Sequence, residues 1–517
     1  MLGESSTRST RRIASQHTIP GHFQRYLWQG PLGLVGPRVA AWLFRGTVGP
    51  ASPPPRSLHA RNTLVSNPVA VIGAGSSGLT VLKALLEAGL PAVCFERGSR
   101  VGGNWVFDND NQQSRIYRSL RINTSRDRMQ FSDFPMPADY PDYASHEQVA
   151  RYFEAYAEAF DLKRAIRFGC GVNRVEMAVR AAGTVADTGG AYRVSTSDGA
   201  TQDFDAVVVA NGHHWDPAFP SPPLPGRFDG VVLHSHGYIS PDEPHQLRNK
   251  RVVVVGIGNS AVDIASELAR AGATVTLSVR RGAWVLPKFV FGRPIDQPGM
   301  IPASWSDAAK TLVAELWYRL LVGRPDAYGL PAPDHRLGHA HPTLSDELLP
   351  LLRDGSITAR SAIARLAGQT VHFKDGNQTD ADAIVYCTGY NVTFPFFDPA
   401  FVSAPDNELP LYLRCFHLEH RGLMFAGMAQ PLGAIMPLVE AQGRLFASYL
   451  RGDYELPSAA EMRQRTERER EHVRRRFVAT RRHTMQVDFD RYLADLKREL
   501  RAGQNRTGVR SRSRSRP

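Results

Sequence analysis

The apolar positions of the chain repeat one arrangement, in which a short apolar run precedes a glycine-containing turn and a segment with apolar residues at helical spacing. The run Val69–Ile72 has the composition of a strand that is buried on both faces, and four leucines follow at helical spacing between residues 79 and 86. A second apolar run, residues 92–95, ends at Glu96. The pattern predicts a strand, a helix and a second strand parallel to the first.

The same arrangement recurs in residues 251–281. Four consecutive valines precede the second turn there, and an apolar strand over residues 273–279 follows the helical segment. The two units predict an α/β fold with two Rossmann-like dinucleotide-binding domains. Buried strands are also predicted over residues 204–212, 383–389 and 423–427, and helices over residues 145–160, 437–450 and 459–500.

The first turn carries Gly73, Gly75 and Gly78 in the spacing Gly-x-Gly-x-x-Gly. In dinucleotide-binding units the first glycine permits the tight turn, the second lets a pyrophosphate approach the backbone, and the third lets helix and strand pack closely. The phosphates lie at the helix N-terminus, where free N–H groups and the helix dipole favour negative charge. Glu96 stands about 20 residues further on, where a carboxylate accepts hydrogen bonds from a ribose.

The second turn differs from the first in two ways. Ala261 replaces the third glycine, which this helix-packing position tolerates. The strand that follows ends in Arg280 and Arg281 rather than in an acid. Guanidinium groups suit a 2′-phosphate, so the second site is predicted to bind NADPH. Two dinucleotide sites on one chain imply hydride transfer from a nicotinamide to a second, tightly held cofactor, for which FAD is the most economical choice.

The net charge of +12 is concentrated at the two ends of the chain. Residues 1–66 hold eight Arg and one Glu, and residues 501–517 hold six Arg and no acid, which leaves about −1 for residues 67–500. The basic balance is therefore poor evidence for nucleic-acid binding, and no nucleic-acid partner is predicted. No segment has 18 or more uninterrupted apolar residues, so no transmembrane helix is predicted.

Cysteine and histidine patterns predict neither a metal site nor a redox-active dithiol. The four cysteines are scattered, without a Cys-x-x-Cys pair. His335, His339 and His341 lie in an irregular stretch where no periodicity aligns them on one face. The chain also offers no evident pair of nucleophile and base for covalent catalysis.

Several motifs, in a fixed order, resemble those of the flavin-containing monooxygenases. The fingerprint Phe228-x-Gly230-x-x-x-His234-x-x-x-Tyr238 stands just before the second glycine turn. Similar motifs are Gly-Gly-Asn-Trp at 102–105, Asn-Thr at 123–124, Ser-Asp-Phe-Pro-Met-Pro at 132–137, Arg-Arg-Gly-Ala-Trp-Val-Leu-Pro at 280–287, His-Pro-Thr-Leu at 341–344 and Cys-Thr-Gly-Tyr at 387–390. The resemblance spans roughly residues 67–500.

The resemblance implies a cofactor at each site and a role for Asn123. Asn123 would lie between the flavin and the nicotinamide and help to hold the oxygenated flavin, a C4a-hydroperoxide, from which an amine nitrogen or a thioether sulfur takes oxygen. His234 and Tyr238 would belong to a linker between the domains. The implied FAD residues are Gly73, Ala74, Gly75, Ser76, Ser77, Gly78, Glu96, Asn104, Trp105, Asn123 and Thr124, and the implied NADPH residues are Gly256, Gly258, Ser260, Ala261, Val262, Asp263, Arg280 and Arg281.

The resemblance also implies that the NADPH domain is inserted into the FAD domain. The expected organisation is a disordered leader over residues 1–66, an FAD-binding part over 67–222, an NADPH-binding domain over 223–383, a second FAD-binding part with C-terminal helices over 384–500, and a disordered Arg-Ser tail over 501–517. The expected partners are O₂ and a small nucleophilic substrate, and a homodimer stays open. The expected location is cytoplasmic, or organellar if the leader is a transit segment.

Three other activities stay open at this point. A Baeyer–Villiger monooxygenase has a related fingerprint with Trp where Tyr238 stands, followed by Pro or Asp, whereas Ile239 follows here. A flavin-dependent N-hydroxylase of an amino-acid side chain is the second alternative. An uncoupled NADPH oxidase that releases peroxide is the third.

Overall fold

Two separate β-sheets organise the chain. The computed structural model describes residues 65–178, 191–297, 305–478 and 484–508. Residues 1–64 of the leader predicted over 1–66, and residues 509–517 at the end of the predicted tail, lie outside the described residues.

The first sheet has seven strands around Val69–Ile72. This strand pairs in parallel with Ala92–Phe95 on one side and with Ala206–Val209 on the other. Val69–Ile72 and Ala206–Val209 are buried along their whole length, as their uninterrupted apolar runs predicted. In spatial order the strands are Leu411–Tyr412, Phe416–His417, Leu423–Phe425, Ala206–Val209, Val69–Ile72, Ala92–Phe95 and Ile166–Arg167.

The second sheet has five strands, all of them parallel. Its centre is Arg251–Val255, the valine-rich run, which pairs with Thr274–Ser278 and Ala383–Tyr386. We call residues 223–386 the second-sheet region and the rest of the described chain the first-sheet region. In spatial order the strands are Val231–His234, Ala383–Tyr386, Arg251–Val255, Thr274–Ser278 and Ile357–Arg360.

Helices pack against both sheets, and six smaller sheets complete the described fold. The α-helices are α1 Ser76–Glu87, α2 Arg126–Met129, α3 His146–Ala159, α4 Asn259–Arg270, α5 Asp307–Leu321, α6 Leu348–Arg353, α7 Met436–Leu450, α8 Ala459–Arg476 and α9 Phe489–Arg506. Short 3₁₀ helices are Gly103–Trp105, Lys163–Ala165, Ser235–Gly237, Pro325–Tyr328 and Pro405–Asn407. A three-stranded sheet consists of Val172–Met177, Tyr192–Thr196 and Thr201–Phe204, and a four-stranded sheet consists of Gln378–Asp380, Thr370–Phe373, Ile363–Gly368 and Gly226–Phe228. Four two-stranded sheets pair Val285–Leu286 with Thr343–Leu344, Phe289–Val290 with Arg293–Pro294, Asp216–Pro217 with Tyr390–Asn391, and Gln430–Leu432 with Gln486–Asp488.

The α1 helix is packed between the first sheet and α7. Leu79, Leu82 and Leu85, which set the predicted helical period, are fully buried. Helix α7 approaches α1 closely at Gly443, where an added Cβ would lie 3.2 Å from the Thr80 carbonyl oxygen. The helix that carries the first glycine turn is therefore fixed on both sides.

The predicted helices over residues 145–160 and 437–450 are confirmed as α3 and α7. The single charged helix predicted over residues 459–500 is wrong. The chain forms α8 and α9, separated by the strand Gln486–Asp488, because this strand pairs with Gln430–Leu432. Such a pairing between distant residues leaves no periodic signal in the charged sequence itself.

Three expected domain boundaries also differ from the structure. Val65 belongs to the hydrophobic core, and Ser66 N–H donates to the Asp205 carboxylate at 2.5 Å, so the folded chain includes the last two residues of the predicted leader. The strand Ala383–Tyr386 lies inside the second sheet, three residues past the expected boundary at 383. Helix α9 continues to Arg506, into the predicted tail.

Candidate functional site

The first glycine turn joins Val69–Ile72 to α1. Gly73 has a φ of +101°, and a Cβ there would lie 2.7 Å from the Ala210 carbonyl oxygen. A Cβ on Gly78 would lie 1.8 Å from the Gly73 carbonyl oxygen, so only glycine lets the helix pack this closely on the turn. At Gly75 the nearest atom to an added Cβ is 3.8 Å away, which leaves the backbone open to a ligand. No side chain caps the N-terminus of α1.

Glu96 closes the first turn from the end of the neighbouring strand. Its carboxylate accepts the N–H of Ala74 at 2.7 Å and that of Gly98 at 2.8 Å, and the residue is 5% exposed. Burial raises the pKa of the Glu96 carboxyl above its ordinary value, although both hydrogen bonds act in the opposite direction. The predicted ribose contact would use the lone pairs that these two bonds leave free.

The Gly-Gly-Asn-Trp loop lies directly on the first turn. Gly102 N–H donates to the Ala74 carbonyl at 3.0 Å, and a Cβ on Gly103 would lie 3.2 Å from the Cα of Gly75. Asn104 and Trp105 follow and are half-buried. The structure thus brings Gly102 and Gly103 to Ala74 and Gly75, and the contact of Asn104 and Trp105 with FAD stays a prediction.

The segment that carries Asn123 is held from the second-sheet region. Asn123 is half-buried, and Ser125, two residues later, is fully buried. Ser125 N–H donates to the Asp296 carboxylate at 2.7 Å, and the Tyr143 hydroxyl donates to the Lys288 carbonyl at 2.8 Å. Asp296 and Lys288 flank the hairpin that joins Phe289–Val290 to Arg293–Pro294. Sequence reasoning missed Asp296, because a lone acid in an irregular Pro-bearing stretch gives no signal.

The second glycine turn repeats the geometry of the first. Gly256 has a φ of +131°, and a Cβ there would lie 2.7 Å from the Cys387 carbonyl oxygen. Gly258 precedes α4, whose N-terminus has no side-chain cap. Ala261 is fully buried, and its Cβ would lie 3.5 Å from a Cβ built on Gly256, so the turn has room for alanine at the third position. Ser260 and Val262 also lie in the first turn of α4, but Val262 is fully buried and can offer a ligand only its backbone.

The His-Pro-Thr-Leu motif braces the second turn. The Thr343 hydroxyl donates to the Ile257 carbonyl at 2.6 Å, and Leu344 N–H donates to the Asn259 side-chain oxygen at 3.0 Å. Thr343 is 2% exposed, so this hydrogen bond is shielded from water. The contact of this motif with residues 257–259 depends on the fold and leaves no signal in the sequence.

Arg280 and Arg281 differ in whether another side chain of the protein already binds the guanidinium group. Arg281 forms an ion pair with Asp334, in which Nε and one terminal nitrogen both lie 2.8 Å from the same carboxylate oxygen, Oδ2. Arg280 is exposed, and within the described residues it has no ion pair. A phosphate would therefore have to share Arg281 with Asp334, whereas Arg280 is available.

Two tyrosines fasten α4 to the chain around it. The Tyr117 hydroxyl, from the first-sheet region, donates to Asp263 at 2.7 Å, and the Tyr238 hydroxyl donates to Glu267 at 2.9 Å. The two rings lie 6.4 Å apart, and Tyr238 is fully buried. Burial raises the pKa of the Asp263 carboxyl. The carboxylate of Asp263 thus accepts a hydrogen bond from Tyr117, and its contact with NADPH stays a prediction.

Residues 66–507 match the family described as flavin-binding monooxygenase-like. The chain belongs to this family. The family resemblance drawn from the motifs is thereby confirmed, and the protein is an FAD- and NADPH-dependent monooxygenase. The two glycine cradles, with open helix N-termini, fit two such dinucleotides.

Relatives of the flavin-binding monooxygenase-like family cover most of this chain. Human flavin-containing monooxygenase 5 is 36% identical over 437 residues, which is 81% of this chain and 80% of that protein. Dimethylaniline monooxygenase [N-oxide-forming] 2 of Rattus norvegicus is 36% identical over 451 residues, which is 84% of this chain and 82% of that protein. The structure of S-allyl-L-cysteine S-oxygenase from Allium sativum is 26% identical, with a TM-score of 0.61 over 87% of this chain and 93% of that chain.

The described residues lack both a metal-binding cluster and a helix that could span a membrane. The side chains that the structure describes contain no group of three or more His, Cys, Asp or Glu placed to hold a metal ion. Across the same residues, no helix combines the length and hydrophobicity needed to cross a bilayer.

Proposed function

We propose that this enzyme oxygenates soft nucleophiles, an amine nitrogen or a thioether sulfur, with consumption of NADPH and O₂. The relatives named for N-oxide formation and for S-oxygenation support this substrate class. The observation that carries the proposal is that Asn123 lies on a first-sheet loop that the second-sheet region also holds. We expect the side chain of Asn123 to reach groups bound at both glycine turns.

The proposal assigns FAD to the first turn and NADPH to the second. FAD would lie on residues 73–78 near Glu96, with Asn104, Trp105 and Thr124 close to it. NADPH would lie on residues 256–262, with its 2′-phosphate on Arg280, because Asp334 already engages Arg281. Bound FAD supplies the oxygen chemistry, with electrons from NADPH. The protein binds, orients and excludes water, and the amide of Asn123 offers both a donor and an acceptor for this task.

The test measures product, NADPH consumption and peroxide with the purified full chain. The substrates are N,N-dimethylaniline, S-allyl-L-cysteine, a cyclic ketone and an amino acid with a side-chain amine. We expect an N-oxide or a sulfoxide in near stoichiometry with NADPH. Each alternative activity has its own main product. A lactone would indicate a Baeyer–Villiger monooxygenase, a hydroxylated side-chain amine an N-hydroxylase, and peroxide an uncoupled NADPH oxidase.

Asn123→Ala tests the role of the amide. We expect a larger peroxide yield per NADPH, because the variant loses the amide that the proposal places between the two bound groups. Asn377→Ala, on an exposed turn, is the matched control and should leave the yield unchanged. An unchanged yield in Asn123→Ala would remove Asn123 from the site while leaving the substrate class intact.

A cytoplasmic location and a homodimer complete the proposal. Cell fractionation tests the first, and sedimentation velocity of the purified chain tests the second.

A further inference from the structure

Arg360 ends the strand next to the one that leads to Arg280. Ile357–Arg360 pairs in parallel with Thr274–Ser278, and the Cα atoms of Arg360 and Ser278 are partners in the register. Both arginines therefore lie at the carboxyl edge of the second sheet, where open parallel sheets bind their ligands. Arg360 lies far along the sequence from the second glycine turn, and only the fold brings the two strands together.

Hydrogen bonds hold the ends of these two strands side by side. Val279 N–H donates to the Arg360 carbonyl at 2.8 Å, and the Ser278 hydroxyl donates to the Ser361 carbonyl at 3.0 Å. Ser278 is 2% exposed, so water does not compete for its hydroxyl. The backbone positions of Arg280 and Arg360 are therefore fixed relative to each other.

The alternation of side chains along the strands places both arginines on one face of the sheet. Leu277 and Val279 belong to the core that includes the inner residues of α4, and Ala359 packs against the same core. Arg280 follows Val279 and Arg360 follows Ala359, so both point to the opposite face. With strands about 4.8 Å apart and residues about 3.3 Å apart along a strand, their Cα atoms are roughly 8 Å apart. Two long side chains at that distance can reach the same group.

Neither of these guanidinium groups has an acidic partner. Within the described residues, Arg280 and Arg360 form no ion pair, and the guanidinium of Arg360 donates to the Ala359 carbonyl at 3.2 Å. Asp375 is an acid close to this strand end, but its carboxylate accepts the Ser361 N–H at 3.1 Å. Two unpaired cations at this spacing repel each other, so the sheet edge favours an anion that binds between them.

Arg281 is occupied by the segment that packs against the following glycine. A Cβ on Gly282 would lie 2.3 Å from the Ala332 carbonyl oxygen, so the chain around residue 332 lies directly on this turn. The same segment carries Asp334, which binds Arg281. Arg360, rather than Arg281, is therefore the second free cation beside Arg280.

We propose that Arg360 binds the 2′-phosphate of NADPH together with Arg280 and thereby determines the preference for NADPH over NADH. The inference rests on the proposed binding of NADPH at the second glycine turn. A phosphate between the two guanidinium groups offsets their repulsion and accepts hydrogen bonds from both. NADH carries a hydroxyl at this position, which leaves the two cations without a counter-charge.

The test measures binding of NADP⁺ and NAD⁺ to the purified full chain by isothermal titration calorimetry, because the two nucleotides differ only in the 2′-phosphate. We expect Arg360→Gln to weaken NADP⁺ binding roughly tenfold or more and to leave NAD⁺ binding unchanged. Arg360→Lys keeps the positive charge and should restore part of the lost affinity. Arg227→Gln removes an arginine of the second-sheet region whose side chain is 89% exposed, and this control should bind both nucleotides like the parent chain.

Three outcomes would overturn the inference, and each has a different meaning. If the parent chain prefers NADP⁺ and Arg360→Gln keeps the whole preference, Arg360 does not bind the phosphate, while the NADPH assignment stands. If Arg360→Gln weakens the binding of both nucleotides equally, Arg360 supports the sheet edge and not the phosphate. If the parent chain binds both nucleotides equally, the assignment of a 2′-phosphate to this edge is itself wrong.

Discussion

Asp296 allows the sharpest test of how the two regions cooperate. Its carboxylate accepts the Ser125 N–H at 2.7 Å, and Ser125 is fully buried. Replacing Asp296 by Ala leaves a buried N–H without a partner, because water cannot reach it. A hydrogen bond to a charged acceptor is worth about 1.5–3 kcal/mol. The second carboxylate oxygen of Asp296 is buried without a hydrogen-bond partner, which lowers the net contribution of Asp296 to stability. We therefore expect Asp296→Ala to lower the free energy of unfolding by about 2 kcal/mol.

The functional effect should exceed the effect on global stability. About 2 kcal/mol favours the conformation in which residues 123–125 are bound to Asp296 over one in which they are displaced. Losing that free energy changes the ratio of the two conformations roughly 30-fold. We therefore expect Asp296→Ala to raise the peroxide yield per NADPH with a thioether substrate, and Asp296→Asn, which keeps one acceptor oxygen, to restore most of the coupling. The rate of flavin reduction by NADPH under anaerobic conditions should change little, because neither glycine turn is touched.

The control and the refuting result are both measurable. Asp354→Ala removes an acid that accepts a backbone N–H, from Ser356 at 2.9 Å, at an exposed turn away from the site. It should leave the peroxide yield unchanged. If Asp296→Ala lowers the melting temperature but leaves the peroxide yield unchanged, the hairpin is a structural support and does not position Asn123.

Three further predictions follow from single positions. Gly78→Ala should abolish FAD retention in the purified protein, measured by the flavin absorbance ratio, because its Cβ would lie 1.8 Å from the Gly73 carbonyl oxygen. Arg280→Gln should raise the KM for NADPH but not for NADH. Arg281→Gln should raise the KM for NADPH less, because Asp334 already binds the Arg281 side chain. Equal KM changes for both cofactors would contradict the 2′-phosphate assignment. Burial lowers the pKa of His234 to about 4. The neutral imidazole therefore favours the folded state above the unfolded pKa of about 6.5, and this contribution is lost as pH falls towards 4. His234→Gln should reduce the change in unfolding free energy across this pH window by at most about 3 kcal/mol.

The glycine turns could be predicted from the sequence because their requirements are local. Gly73 needs a positive φ that glycine adopts most easily, and Gly78 needs to lack a Cβ because it packs against the Gly73 carbonyl. The buried strands were equally predictable, because burial on both faces requires an uninterrupted apolar run.

The contacts that position side chains within the site could not be predicted. Asp296 is 171 residues from Ser125, and Asp334 is 53 residues from Arg281. Each is a single acid in an irregular stretch, and its partner is decided by how the two regions pack. Asp263 illustrates the same limit, because nothing in the sequence indicates that the fold brings the Tyr117 hydroxyl to its carboxylate.

The position of Asn123 is set by both regions at once. On its N-terminal side, the Tyr117 hydroxyl binds Asp263, and Leu120 packs against the core of the second-sheet region. On its C-terminal side, Ser125 binds Asp296. The same segment also hydrogen-bonds within the first-sheet region, since Ile122 N–H donates to the Ala144 carbonyl at 3.0 Å. The second-sheet region holds the loop on both sides of Asn123, and the first-sheet region holds it at Ile122. Asn123 therefore responds to any motion of one region relative to the other. This loop is well placed to couple binding at one glycine turn to chemistry at the other.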